Sequence, residues 1–142
     1  MKKIVLTAIA SIIIPLLTTL TRKRKYVVRA AFDVGSGATK MCVAIVEKSK
    51  SKCVVRKVLY DDQTSILLRC DMSISKDGKT LSESILSKTE TTLKNYLNLA
   101  IETYGATQFC GIATAVFRKA RNGEAFLKSF KKIGLEIKLI DQ

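Results

Sequence analysis

The apolar residues of the chain fall into short runs separated by polar or glycine-containing links. Residues 27–34 and 40–47 are runs of strand length, and the segment between them fits a hairpin loop. A third run covers residues 53–59. Residues 60–80, which end near the turn pair Asp77-Gly78, show no clear period and are interpreted as irregular. This part of the pattern predicts three consecutive strands.

The following part alternates helices with strands. Ser82 suits the N-cap of a long helix, and Gly105 ends it. The apolar stripe of that helix is Ile85, Leu86, Leu93, Tyr96, Leu97, Ala100, Ile101 and Tyr104. Residues 108–114 predict a fourth strand, residues 122–134 a short helix capped by Asn122, and residues 135–140 a fifth strand. The order β-β-β-α-β-α-β predicts an α/β fold of the ribonuclease-H-like type.

The N-terminal segment differs from the rest in having no charge over residues 4–21, which follow Met1-Lys2-Lys3. Its eighteen residues lie between the length of a signal-peptide core and that of a membrane span. No small-residue cleavage site follows, and the basic cluster at residues 22–25 resists translocation. We therefore expect residues 1–25 to be an uncleaved apolar helix that anchors a domain of residues 26–142 on the cytoplasmic side of a membrane. Signal cleavage and export is the alternative, and a helix packed on the protein itself is the least favoured reading.

Charge and composition restrict the chemistry. Lys and Arg number 25 against 12 Asp and Glu, so the net charge is +13 and the expected partners are anionic: nucleotides, polyanions or acidic lipid surfaces. Histidine is absent, which removes the commonest general base and the commonest zinc ligand. The four cysteines form no CxxC pair and are expected to be reduced and mostly buried.

The turn between the first two strands reads DVGSGATK, residues 33–40. Its two glycines would permit positive φ angles and a close approach of backbone N–H groups to an anion. Ser36 adds a hydroxyl donor, and Lys40 can meet a phosphate as a point charge. Asp33, at the end of the first strand, is placed to hold Mg²⁺ directly or through water. A plain hairpin turn is the alternative interpretation.

A second stretch, ATAVFRKARNGEAFL at residues 113–127, passes from a strand end to a helix start. Open α/β sheets bind ligands at such positions. Arg118 follows the strand-ending Thr114 by four residues, and its planar donor fork suits phosphate. The alternative is that Arg118, Lys119 and Arg121 form a solvated charged surface.

The two stretches together resemble the N-terminal half of the exopolyphosphatase and guanosine pentaphosphate phosphatase (Ppx/GppA) family, within the actin, hexokinase and Hsp70 ATPase-fold group. The resemblance covers about residues 28–142. It implies hydrolysis of terminal phosphates of polyphosphate or guanosine pentaphosphate with Mg²⁺. By resemblance, Asp33 is the metal-side aspartate, Gly35, Ser36 and Gly37 form the phosphate loop, and Arg118 contacts phosphate.

The sequence departs from the family pattern at two places. Gly37 and Ala38 stand where the family loop has Asn and Ser, and Asp141-Gln142 stand where its catalytic glutamate would follow. We therefore expect an incomplete half that hydrolyses phosphoanhydrides barely above background unless a C-terminal half or a homodimer partner completes the cleft. A non-catalytic phosphate- or polyanion-binding module is the alternative function, and a protein whose charge serves acidic lipids is a third. Sequence-specific nucleic-acid binding is not expected.

Overall fold

The computed structural model describes residues 25–49 and 52–140. Its strands are β1 (Lys25–Val34), β2 (Ala38–Lys48), β3 (Cys53–Ser65), β4 (Gln108–Ala113) and β5 (Ile137–Leu139). Its helices are α1 (Leu68–Ile74), α2 (Glu83–Glu102), α3 (Ala115–Lys119) and α4 (Gly123–Ser129), and a 3₁₀ helix (Phe130–Ile133) follows α4 directly.

The five strands form one mixed sheet in the spatial order β3-β2-β1-β4-β5. The first three strands are antiparallel neighbours, whereas β4 and β5 run parallel to β1. Because β3 and β4 both run parallel to β1, the chain must cross over between them. Helices α1 and α2 make that crossover. The arrangement brings the carboxyl ends of β1 and β4 to the same edge of the sheet.

The core lies on one face of the sheet, where alternate residues of β1 (Ala30, Phe32 and Val34) are buried. The apolar stripe of α2 packs there through Leu93 and Leu97, and α3 and α4 add residues to the same cluster. Alternate positions that face the other way are less buried: Ala31 is exposed, whereas Arg29 and Asp33 are half-buried.

The predicted α/β class is confirmed by the mixed five-stranded sheet, and the order of the elements differs from the prediction in detail. The segment 60–80 was interpreted as irregular, and this was wrong: β3 continues to Ser65 and α1 follows. Residues 60–65, the end of β3, carry few apolar side chains because β3 is an edge strand that is exposed along most of its length. The pattern of burial is therefore weak there. A further short helix, α3, lies between β4 and α4, and β5 is shorter than predicted.

The predicted caps have different outcomes. Ser82 caps α2 as expected, since its hydroxyl accepts a hydrogen bond from the Ile85 N–H at 3.2 Å. Asn122 occupies the N-cap position of α4 as predicted, but its side chain makes no capping hydrogen bond.

The cysteine thiols are free, but none is buried: Cys42 is half-buried, and Cys53, Cys70 and Cys110 are exposed. The expectation of mostly buried thiols was therefore wrong. The register explains Cys42 and Cys110, because both pair with exposed Ala31 and so share its face of the sheet.

The apolar anchor predicted at residues 4–21 lies outside the described residues, and it stays a prediction together with the cellular location that depends on it. Among residues 25–49 and 52–140, no helix has both the length and the apolar character needed to cross a membrane.

Candidate functional site

The shared edge of β1 and β4 holds a cleft of about 450 Å³. Asp33 is the next-to-last residue of β1 and pairs across the sheet with Lys40 of β2. The Thr114 N–H donates to the Val34 carbonyl oxygen at 3.4 Å, which brings the end of β4 beside the end of β1. The cleft is lined by Asp33, Gly35, Ser36, Gly37, Ala38, Lys40, Gln63, Arg69, Thr114 and Ala115.

Asp33 has the most unusual environment of the lining residues. Its Oδ1 atom is buried and accepts no hydrogen bond from any residue that the structure describes. Leaving a buried acceptor unpaired costs about 1–3 kcal/mol, so such a group requires an explanation. A cation or a ligand donor in the cleft would satisfy this oxygen.

The backbone of the turn differs from the sequence prediction. Gly35 and Gly37 do not have positive φ, since in the described chain only Gly78, Gly105 and Gly134 do. Space at Gly35 is restricted instead, because a Cβ there would lie in tight contact, 3.0 Å from the Ala38 carbonyl oxygen. A Cβ at Gly37 would meet no atom within 4 Å, so the chain there is open to approach from outside.

Two backbone hydrogen bonds fix the orientation of the turn. The Ser36 carbonyl accepts from the Arg69 N–H, and the Gly37 carbonyl accepts from the Ile66 N–H, both at 3.0 Å. In a trans peptide the N–H points opposite to the C=O of the same unit. The N–H groups of Gly37 and Ala38 therefore point away from the segment 66–69, in roughly the same direction. Two successive amides directed together can bind an anion.

Arg118 does not line this cleft. Its guanidinium donates a hydrogen bond to the carbonyl oxygen of Ile140, just beyond β5. The role that the family resemblance gives to Arg118 stays a prediction.

Asn122, from the same stretch, does not line the cleft, and its side chain bonds to another part of the fold. Its side chain accepts from the Leu81 N–H at 3.1 Å and donates to the Leu81 carbonyl at 2.8 Å. These bonds join the start of α4 to the segment before α2. These bonds account for the asparagine in the stretch 113–127 without any ligand.

Arg69, which the sequence reasoning missed, lines the cleft from α1. The omission follows from the interpretation of residues 60–80 as irregular, because an isolated arginine in such a segment gives no signal. Only the pairing of the segment with the turn could have revealed it, and that pairing is a tertiary feature.

A second hollow of about 290 Å³ adjoins the cleft and shares Asp33 and Lys40 with it. Its wall is otherwise largely apolar and includes Cys42 and Cys110. Burial and the nearby Asp61 carboxylate raise the pKa of the Cys42 thiol. The thiol therefore stays protonated near neutral pH, which makes it a poor nucleophile and a poor metal ligand.

No protein-family model and no curated protein sequence matches this sequence. Solved structures do match. A Ppx/GppA family member from Aquifex aeolicus has a TM-score of 0.64 at 23% identity, over 82% of this chain and 35% of that one. An exopolyphosphatase-like protein has a TM-score of 0.66 at 18% identity, over 83% of this chain and 34% of that one. An exopolyphosphatase from Cytophaga hutchinsonii has a TM-score of 0.61 at 13% identity, over 80% of this chain and 34% of that one.

These likenesses confirm, at the level of the fold, the resemblance seen in the two sequence stretches. The five-stranded mixed sheet is that of an actin-like ATPase-type fold as it occurs in Ppx/GppA proteins. The chain spans about a third of the length of each of these structures.

Proposed function

We propose that this chain binds the terminal phosphate of a phosphoanhydride in the cleft beside Asp33, together with Mg²⁺. It would then be the phosphate-binding part of an exopolyphosphatase-like or guanosine pentaphosphate phosphatase-like hydrolase. The observation that carries the proposal is the buried, unpaired Oδ1 of Asp33 next to a turn that directs backbone amides outward.

The residues of the cleft fit Mg²⁺ in the manner that the ion usually adopts with phosphates. Among the described residues no group of three or more His, Cys, Asp or Glu side chains forms a metal site. Mg²⁺ does not need one, since it is commonly held by one or two carboxylates, several waters and the phosphates themselves. Asp33 would supply the carboxylate, and the ion would neutralise charge on the phosphate oxygens.

The rest of the cleft suits an anion. Lys40 and Arg69 bring two positive charges against the single negative charge of Asp33. The Ser36 hydroxyl and the amides of Gly37 and Ala38 are short-range donors at the turn. Together these groups can hold one phosphate through donors on one side and a metal ion on the other.

Hydrolysis requires a group that orients or activates water as well as one that holds phosphate. Asp33 is the single carboxylate among the lining residues of the described cleft, and the sequence contains no histidine. A carboxylate bound to Mg²⁺ retains little basicity. The cleft thus favours binding over turnover, which keeps a non-catalytic phosphate- or polyanion-binding module as the second candidate function. A phosphate-release assay separates the two, because only the hydrolase releases phosphate in a reaction that depends on Mg²⁺ and Asp33.

Calorimetric titration of the 142-residue chain with pyrophosphate, with and without Mg²⁺, tests the binding proposal. We expect Mg²⁺ to tighten binding in the wild type and to have little effect in Asp33→Asn, which keeps the shape of the side chain but removes its charge. Glu102→Gln is the matched control, because Glu102 is exposed at the end of α2 and lines neither the cleft nor the adjoining hollow. Equal Mg²⁺ dependence in wild type and Asp33→Asn would contradict the proposal.

A further inference from the structure

The cleft contains an arginine that neither sequence stretch includes. Arg69 is the second residue of α1 and lies on the part of the chain that follows the edge strand β3. It is exposed, and it lines the cleft together with Asp33, Lys40 and the turn.

The backbone fixes where Arg69 stands. Its own N–H bonds to the Ser36 carbonyl at 3.0 Å, and the Ile66 N–H bonds in the same way to the Gly37 carbonyl. The Cα atom of Arg69 is thereby held at a set position relative to the turn, whatever its side chain does. Arg69 and the turn line the same cleft, so a phosphate held in that cleft could contact both.

The guanidinium groups of Arg69 and Arg118 are in different situations. That of Arg118 donates to the Ile140 carbonyl. That of Arg69 makes no hydrogen bond or ion pair with any residue in the described part of the chain. An arginine fork in an anion-binding cleft, without a protein acceptor, is suited to a bidentate contact with phosphate oxygens.

We propose that Arg69 is a phosphate-binding residue of this cleft and contributes more to that binding than Arg118 does. The inference rests on the proposed function, because it requires that the cleft take a phosphate. Arg69 and the turn would then hold the phosphate as one unit, since the same backbone bonds join them.

The test is pyrophosphate affinity in the presence of Mg²⁺ for wild type, Arg69→Ala, Arg69→Lys and Arg118→Ala. Lys88→Ala is the control for net charge, because Lys88 is exposed on α2 and does not line the cleft. We expect Arg69→Ala to weaken binding about tenfold or more, as for a charge-assisted hydrogen bond. Arg69→Lys should recover part of the loss, since it restores the charge without the fork, and Lys88→Ala should change affinity less than about twofold.

The outcomes separate this inference from the proposed function. If the wild type binds and Arg69→Ala binds within twofold of it, the role of Arg69 is refuted and the proposed function stands. The same holds if Arg118→Ala weakens binding more than Arg69→Ala does. If the wild type does not bind pyrophosphate, both are refuted. The helical circular dichroism signal and the melting temperature of Arg69→Ala should match wild type, because the bond to Ser36 involves only the backbone.

Discussion

Replacing Asn122 by alanine should destabilise the fold without touching the cleft. The Asn122 side chain satisfies both backbone groups of Leu81, whose exposed fraction is only 1%. Alanine leaves a buried N–H and a buried C=O without these partners. Each unpaired buried group costs about 1–3 kcal/mol, so the two together should lower the free energy of unfolding by about 2–4 kcal/mol after partial relaxation.

Urea unfolding of the 142-residue chain, followed by far-UV circular dichroism, measures this loss as a lower midpoint at an unchanged slope. Asn98→Ala is the matched control: Asn98 is exposed within the C-terminal part of α2, where alanine favours the helix. That variant should be as stable as wild type or slightly more stable. If Asn122→Ala unfolds at the wild-type midpoint, the two hydrogen bonds do not contribute as described. If Asn122→Ala is stable but loses pyrophosphate binding, Asn122 belongs to the site instead.

Two further variants test the account of the fold. Gly123→Ala should destabilise the fold by roughly 2 kcal/mol or more, because its Cβ would lie 2.4 Å from the Phe117 carbonyl oxygen; an unchanged melting temperature would contradict this close approach. Hydrogen bonds from the Lys79 backbone and the Thr80 hydroxyl lower the pKa of Asp77. Asp77 therefore adds stability that is present above its unfolded-state pKa of about 4 and is lost as the pH falls through the lower folded-state pKa. Wild type should lose more stability than Asp77→Asn between about pH 4 and pH 2, and equal losses in a urea series would refute this assignment.

The sequence predicted the main strands and the long helix because these elements bury one regular face. The stripe of α2 and the alternation in β1 repeat at the periods that packing requires. The edge strand β3 is mostly exposed, so nothing in its pattern marks where it ends or that α1 follows.

The sequence predicted only the part of the candidate site whose residues are close together along the chain. Asp33, Lys40 and the turn are close in sequence, so a local motif indicates them. Arg69 enters the same cleft only because α1 pairs with the turn through backbone bonds, and backbone pairing leaves no trace in residue type. Asn122 is the opposite case. It lies within the stretch that resembles the family, yet its side chain bonds to the Leu81 backbone and not to the cleft.

The most direct test of the central claim is whether a metal ion at Asp33 and a phosphate at the turn occupy the cleft together. Mn²⁺ can replace Mg²⁺ in oxygen-rich sites and is paramagnetic, so it broadens the phosphorus resonances of a phosphate bound beside it. With the 142-residue chain, Mn²⁺ and pyrophosphate, the account predicts phosphorus relaxation well above that of Mn²⁺ and pyrophosphate without protein. Asp33→Asn should abolish this increase, and Glu102→Gln should preserve it. An increase that is the same in Asp33→Asn as in wild type, or no increase with the wild-type chain, would contradict the account.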